Sequence, residues 1–363
     1  MKNKVKLFDP FFDNNELTAM KKTMRSGFWA SGAGVKDTKL FEKRFQDYTK
    51  AKECIAVNSG TAALHLALSC YDLKNKEVIL PSLSFVSTAH SIIYNGGKPV
   101  FVDVDPKTLC IDTNDIQRKI SSKTKIILPV HFGGLPCDIL ELKKIAKKNN
   151  LDLVEDAAHA SGSTYQGEKI GKHGNLVCFS FHPVKNLAMP TGGLISINDK
   201  NHKKIRELLL AKRWCGITNR KDDSYDVKEI GWNYYMNEFS ASIGLVQLKK
   251  LDKLNRFRKK VAKQYFNELK VEFKMPYDAN CSYHFYWILV NNRKKFRDNM
   301  LKQGIETGTH YKPIHKMSMY KKNIKYQITD KIANKIVSLP THPNLTENDI
   351  NKIIRCVNRF SNE

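Results

Sequence analysis

Residues 53–73 read ECIAVNSGTAALHLALSCYDL, and their order decides the fold class. An apolar, β-rich run closes on Asn58-Ser59-Gly60, and the residues that follow recur at helical spacing as far as Leu73. A strand that passes through glycine into a helix is one βα unit, which a single layer cannot bury. The same alternation continues outward to about residue 200. EVILPSLSF (77–85) and KPVFVDVD (98–105) read as strands on either side of helical VSTAHSIIYNG (86–96), while TKIILPVHFGG (124–134) and LDLVEDAAHA (151–160) flank helical DILELKKIAKKNN (138–150). VCFSFHP (177–183) and GGLISIND (192–199) close the series as a pair of strands. The chain is therefore expected to be α/β, with a large, mostly parallel sheet.

Beyond Lys200 the pattern changes. Residues 200–214 read as a helix, and residues 236–269 as one long helix or two in line. After them, β-type YHFYWILV (283–290) and ETGTHYKPI (306–314) alternate with helical FRDNMLKQG (296–304) and ENDINKIIRCVNRF (347–360). We expect a large domain over residues 1–245 and a smaller α+β domain over residues 246–363.

Composition narrows the function. A hydrophobic fraction of 41% over 363 residues is ample for a packed core and excludes a disordered chain. No apolar run approaches the roughly 18 residues that span a bilayer, and MKNKVKLFDPFFDNNEL (1–17) has no signal-peptide core, so a soluble, cytoplasmic protein without a membrane partner is expected. Eight cysteines (Cys54, Cys70, Cys110, Cys137, Cys178, Cys215, Cys281 and Cys356) are scattered without a CxxC pair, as buried thiols in a reducing compartment are; no metal site is expected. The net charge of +25 invites a nucleic-acid reading. The basic residues, however, lie between apolar positions in ELKKIAKKNN (141–150) and LKKLDKLNRFRKKVAKQ (248–264), the pattern of a solvated helix face, and no nucleic-acid motif accompanies them.

Three segments at strand ends carry chemistry. Gly60 allows close backbone approach, and the N–H groups and hydroxyl at Thr61 open a helix, which suits either an anion or an ordinary cap. Asp156 ends an apolar strand, where its carboxylate either faces the cleft or caps a following helix, with Glu155 beside it able to take the same part. Lys185 follows a strand among neutral neighbours, and a desolvated lysine there becomes an amine nucleophile. Pro190, Gly192 and Gly193 mark a tight turn just after it.

NSGTAAL, PSLSFVST, VEDAAHA, SFHPVK with TGG, and GWNYYMNE resemble, in sequence and order, the DegT/DnrJ/EryC1/StrS family of sugar aminotransferases. The resemblance runs from about Gly27 to LPTHPNLTENDI (339–350). It implies the fold-type-I architecture of pyridoxal 5′-phosphate (PLP) transferases, similar to aspartate aminotransferase. It implies further that Lys185 is the Schiff-base lysine and Asp156 the partner of the pyridine nitrogen. His159 falls near the cofactor's phenolic oxygen, Phe85 where an aromatic stacks on the ring, and Gly60, Thr61 and Ser180 at its phosphate. Asn233 matches the asparagine that reaches the neighbouring subunit's phosphate, so the resemblance implies a homodimer with shared active sites. The expected reaction moves an amino group from L-glutamate to a nucleotide-linked keto-deoxysugar, 4-keto in preference to 3-keto, for cell-surface or secondary-metabolite glycans. Trp29, Ser31, His310 and Tyr311 are candidate sugar contacts, with ordinary loop packing as their alternative.

Departures from the family pattern bear on the substrate. Pro190-Thr191-Gly192-Gly193 stands where GEGG or GDGG is common, Cys215 replaces a histidine, and Tyr235 replaces an arginine. Two other readings stay open: a PLP-dependent sugar dehydratase of the same family, and a non-catalytic protein that binds PLP or a sugar. Lys185 argues against those dehydratases that carry histidine in its place, and the unclustered cysteines against those with an iron–sulfur site.

Overall fold

A computed structural model describes residues 4–221, 223–321 and 324–361. Its central sheet has seven strands: β1 Glu53–Val57, β2 Glu77–Pro81, β3 Lys98–Val102, β4 Thr124–Ile127, β5 Asp152–Asp156, β6 Leu176–Ser180 and β7 Gly193–Ile197. They lie side by side in the order β1-β7-β6-β5-β4-β2-β3. Only β7 runs against its neighbours, pairing Leu176 with Ile197 and Ser180 with Gly193 along β6. The sheet is α/β and mostly parallel, as the sequence implies.

Both faces of the sheet are buried, which is why its strands read as continuous apolar runs. Along β1, Ile55 and Val57 pack with Leu64 and Leu68 of the helix that follows it and with Leu209; Cys54 and Ala56 pack on the other face with Phe41, Phe45 and Leu251. The helices are α1 Asn14–Arg25, α2 Asp37–Thr49, α3 Gly60–Leu68, α4 Ser87–Tyr94, α5 Thr113–Lys119, α6 Ile139–Lys148, α7 His202–Arg213, α8 Glu238–Glu268, α9 Arg293–Lys302, α10 Gln327–Ile332 and α11 Glu347–Phe360. Residues 236–269 thus yield one helix of 31 residues, about 46 Å long at 1.5 Å per residue. Residue 245 lies inside it. The α8 N-terminus is fixed by Asn237, whose side chain accepts from the Ser240 N–H.

The C-terminal part builds its core from the antiparallel pair β10 Tyr286–Leu289 and β11 Ile336–Leu339, against which Ile350, Ile353 and Val357 of α11 and Phe296 of α9 pack. A hairpin of β8 Ile217–Lys221 and β9 Ser224–Val227 stands out from the body. The β-type reading of residues 306–314 is corrected here. That segment makes one isolated bridge, Gly308 to Ser338, and turns into a short 3-10 helix after Pro313, which has no N–H to give a ladder. All eight cysteines are free thiols; five are buried, and Cys215 is exposed. No helix of the described residues is long and apolar enough to cross a membrane.

Candidate active site

The carboxyl ends of β1, β5 and β6 open on one cleft of about 310 Å³, within the roughly 300–1,000 Å³ of small-ligand sites. Its wall contains Gly60, Thr61, Phe85, Asp156, His159, Ser180, Lys185 and Tyr311. Eight of the residues singled out in the sequence, spread over 252 positions, therefore face one space.

Lys185 sits on the loop that joins β6 to β7. Both ends of this loop are clamped: Phe181 N–H donates to Gly192 O at 2.9 Å and Met189 N–H to Phe181 O at 2.8 Å. Phe181, Leu187 and Met189 are sunk in the core below. Lys185 N–H closes a turn on His182 O at 2.8 Å, leaving the side chain in the cleft. Burial takes its ammonium down to about 8, although the Asp156 carboxylate opposes the change. A large share of this amine is thus neutral and nucleophilic near physiological pH.

Asp156 is the last residue of β5 and is buried. Its Oδ2 accepts from Thr88 Oγ1 at 2.8 Å, and Ser84 lies 2.8 Å behind Thr88, so the two hydroxyls form a relay into the carboxylate. Oδ1 accepts from the Ala158 N–H at 3.1 Å. That bond is a tight turn, and no helix follows, which removes the capping alternative. Burial pushes the carboxyl up; the Ala158 and Thr88 bonds and Lys185 hold it down.

Glu155 does not share the cleft. Strand alternation turns it to the other face, where its Oε2 takes the Nε2–H of His131 at 2.8 Å with both side chains fully buried. The ring is fixed as the Nε2–H tautomer because His131 Nδ1 accepts from Cys137 N–H at 3.1 Å.

His159 has its tautomer set in the same way. Gly133 N–H points at Nδ1 at 3.3 Å, so Nε2–H donates to Tyr311 Oη at 2.9 Å. Burial first, then nearby Lys185, holds the ring well below the usual histidine range, and it stays neutral. His284 stacks on its far side with centroids 4.7 Å apart.

The opposite end of the cleft is shaped for an anion. Ser59 caps α3 by accepting from Ala62 N–H at 3.1 Å, leaving the Gly60 and Thr61 amides at the helix start for a ligand. A Cβ on Gly60 would lie 2.6 Å from Ser180 Cβ, and one on Gly193 would lie 2.3 Å from Ser59 O, so both glycines are required by close approach. Thr191 ties the turn to the sheet through its hydroxyl on Asn58 O. An amine of lowered basicity, a buried carboxylate and a phosphate-sized nest of amides thus stand around one cavity, a set that fits PLP.

The remaining candidates lie elsewhere. Asn233 is exposed beside Asn58, which reaches its carbonyl at 3.2 Å; Trp29 is 50% exposed and packs on Phe239; Ser31 holds a turn at Ala33 N. His310 turns from the cleft onto Ser338 Oγ at 2.8 Å and stacks on Phe285, whereas Tyr311 lines the cleft. Thr88, behind Asp156, and Ser84 and His182, on the cleft wall, are residues that the sequence does not single out. The first two stand in the quoted PSLSFVST, where a run of hydroxyls beside Phe85 was the available signal.

The model of the DegT/DnrJ/EryC1/StrS aminotransferase family matches residues 10–358. GDP-perosamine synthase of Caulobacter vibrioides is 35% identical, with 96% of each chain covered, and the spore coat polysaccharide biosynthesis protein SpsC of Bacillus subtilis is 33% identical, covering 96% of this chain and 95% of that one. Among solved structures, PseC of Helicobacter pylori, an aminotransferase of pseudoaminic acid biosynthesis, superposes with a TM-score of 0.92 at 27% identity, covering 99% of this chain and all of its own. The PMP form of Spr1654 from Streptococcus pneumoniae, a sugar aminotransferase by its description, gives 0.93 at 26% identity, with 99% and 98% covered.

Proposed function

The chain belongs to the DegT/DnrJ/EryC1/StrS aminotransferase family, and from that premise we propose that this PLP-dependent enzyme transfers the amino group of L-glutamate to a nucleotide-linked 4-keto-deoxysugar, with Lys185 as the lysine that holds the cofactor. One observation carries the assignment: Lys185, on the loop after β6, and Asp156, at the end of adjacent β5, face the same cleft, whose far end offers the α3 amides. When bound, PLP supplies an aldehyde that condenses with amines and a ring that stores the electron pair left when the donor's α-proton departs.

The protein's own groups do the rest. Lys185, its amine lowered to about 8, would take the proton from the donor's α-carbon and return it two atoms away, to the carbon across the amine nitrogen. Asp156, held by Thr88 and Ala158, would keep a positive ring nitrogen beside it protonated. Neutral His159 gives its one N–H to Tyr311, which leaves the Tyr311 O–H as the donor at the edge, and Phe85, 55% exposed at the mouth, would cover a flat ring. In the second half the same residues run in reverse on the keto-sugar. Asn233, Trp29 and Ser31, all outside their own cleft, are assigned to the cleft of a partner copy in a homodimer.

Purified protein is expected to absorb as a yellow species that bleaches on adding L-glutamate and returns with a 4-keto nucleotide sugar. A Lys185→Ala protein that stays yellow and still bleaches would sink the assignment, and a wild type that binds PLP but transfers to no keto-sugar in a UDP, GDP and dTDP panel would sink the reaction.

A further inference from the structure

The segment that carries Tyr311 into the cleft is tied down on both sides. Upstream, Gly308 exchanges backbone hydrogen bonds of 2.9 Å in each direction with Ser338 of β11, and His310 Nδ1 meets Ser338 Oγ at 2.8 Å. Downstream, the Ile314 N–H donates to Ser82 O at 2.9 Å. There the His315 ring lies between Ser82 Oγ, 2.6 Å from Nδ1, and Asp330 Oδ1, 3.1 Å from Nε2. The direction of these bonds follows from the donors. Ser82 Oγ accepts from the His315 N–H at 3.3 Å, so its own hydrogen goes to Nδ1 and the ring proton stays on Nε2, facing Asp330. Burial lowers the basicity of the ring against the pull of Asp330, which keeps this neutral form.

A serine, a histidine and an aspartate in this order resemble a hydrolase triad, but Ser82 is 0% exposed, so no substrate reaches its hydroxyl. The relay is an anchor instead. Ser82 directly follows β2 and gives its N–H to Val102 O at 3.1 Å. Asp330 lies in α10, where Asp103, directly after β3, accepts from the Ile328 and Thr329 amides and the Thr329 hydroxyl at 2.7–2.8 Å. Lys316 and the Tyr326 N–H hold the rest of the Asp330 carboxylate. His315 thus closes a ring of hydrogen bonds that starts and ends on adjacent strands of the central sheet. Phe85 stands three residues beyond Ser82, and its ring centroid lies 6.0 Å from that of Tyr311. We infer that His315 is a positioning residue of this site: it fixes the Tyr311 O–H in the cleft, against the end of β2, for both half-reactions, without touching cofactor or substrate itself. The inference rests on the transamination reading above.

The test reads the two half-reactions of the PLP-loaded enzyme and, separately, amide hydrogen exchange of the apoprotein. Ser82→Ala and His315→Phe each cut the relay. Either is expected to lower the maximal rate of both half-reactions at least ~10-fold, while the half-saturating concentrations of L-glutamate and keto-sugar stay within about 2-fold. In a Tyr311→Phe background the same substitutions should cost less than about 2-fold more, because the hydroxyl they act through is already gone. Exchange should rise in residues 308–316 and stay unchanged in the strands of the central sheet. Ser82→Ala removes a single buried oxygen and serves if the His315 variant does not fold. Losses of equal size with and without the Tyr311 hydroxyl, a full maximal rate in both folded variants, or no local rise in exchange would each overturn the inference. Failure of the underlying reading looks different: wild type would then transfer no amino group, and the inference would fall with it.

Discussion

The lowered basicity of Lys185 is open to direct measurement on the apoprotein, without any turnover. Burial brings the amine from 10.5 to about 8 while Asp156 pulls the other way. At pH 7.5 a group of that pKa is neutral in roughly a quarter of molecules, against about one in a thousand for an ordinary lysine. The sign is fixed by the charge: desolvation penalises the ammonium, so the neutral amine appears at lower pH. Apoprotein labelled with an amine-reactive reagent across pH 6–10, digested and mapped by mass, should show Lys185 reacting about tenfold faster per pH unit up to about 8 and level above it. An ordinary lysine should still be climbing at pH 10. Asp156→Asn removes the opposing carboxylate, so the Lys185 midpoint should move down, below about 8. A Lys185 rate that keeps rising beyond pH 9.5, or a midpoint that moves up in Asp156→Asn, would refute the argument that burial in this cleft activates the amine.

Other consequences are simpler to state. Gly60→Ala places a methyl 2.6 Å from Ser180 Cβ, and we expect PLP affinity, measured by equilibrium dialysis, to fall at least ~10-fold as the α3 start moves off its ligand. Thr88→Val removes the donor to Asp156 Oδ2 while keeping the shape, and should lower stability in urea by about 1.5–3 kcal/mol at pH 7. His131→Phe leaves buried Glu155 without a partner on either oxygen and should cost about 3–5 kcal/mol; the double variant with Glu155→Leu should recover much of that, and no recovery would mean that the ring's packing, not the pair, was lost.

The sheet was legible because each strand is an apolar run ended by a turn residue, and burial on both faces makes such runs continuous. Lys185 and Asp156 were legible as a pair only through their place after β5 and β6, since one lysine among 61 basic residues carries no signal by itself. Thr88 could not be read as a partner of Asp156, because 68 residues separate them and only the approach of α4 to β5 joins them. Arg258 of α8, only 4% exposed, was hidden for another reason. In LKKLDKLNRFRKKVAKQ it looks like one more solvated cation, yet it lies four residues after Leu254 and three before Val261, on the stripe that packs inward. Charge type masked a periodicity that was present. Asn233, Trp29 and Ser31 carry no geometric signal in one chain, because nothing in their own fold brings them to the cleft.

Two acids stand side by side at the end of β5, and a strand displaced by one residue would present the wrong one to the ligand. Glu155 has one methylene more than Asp156, enough to misplace a charge by over an ångström. The contact of Glu155 with His131, itself tied down by the Cys137 amide, exists only when Glu155 faces away from the cleft. The pair therefore acts as a phase key: it discriminates between two nearly equivalent threadings of the same strand and admits the one that leaves the shorter acid in the cleft.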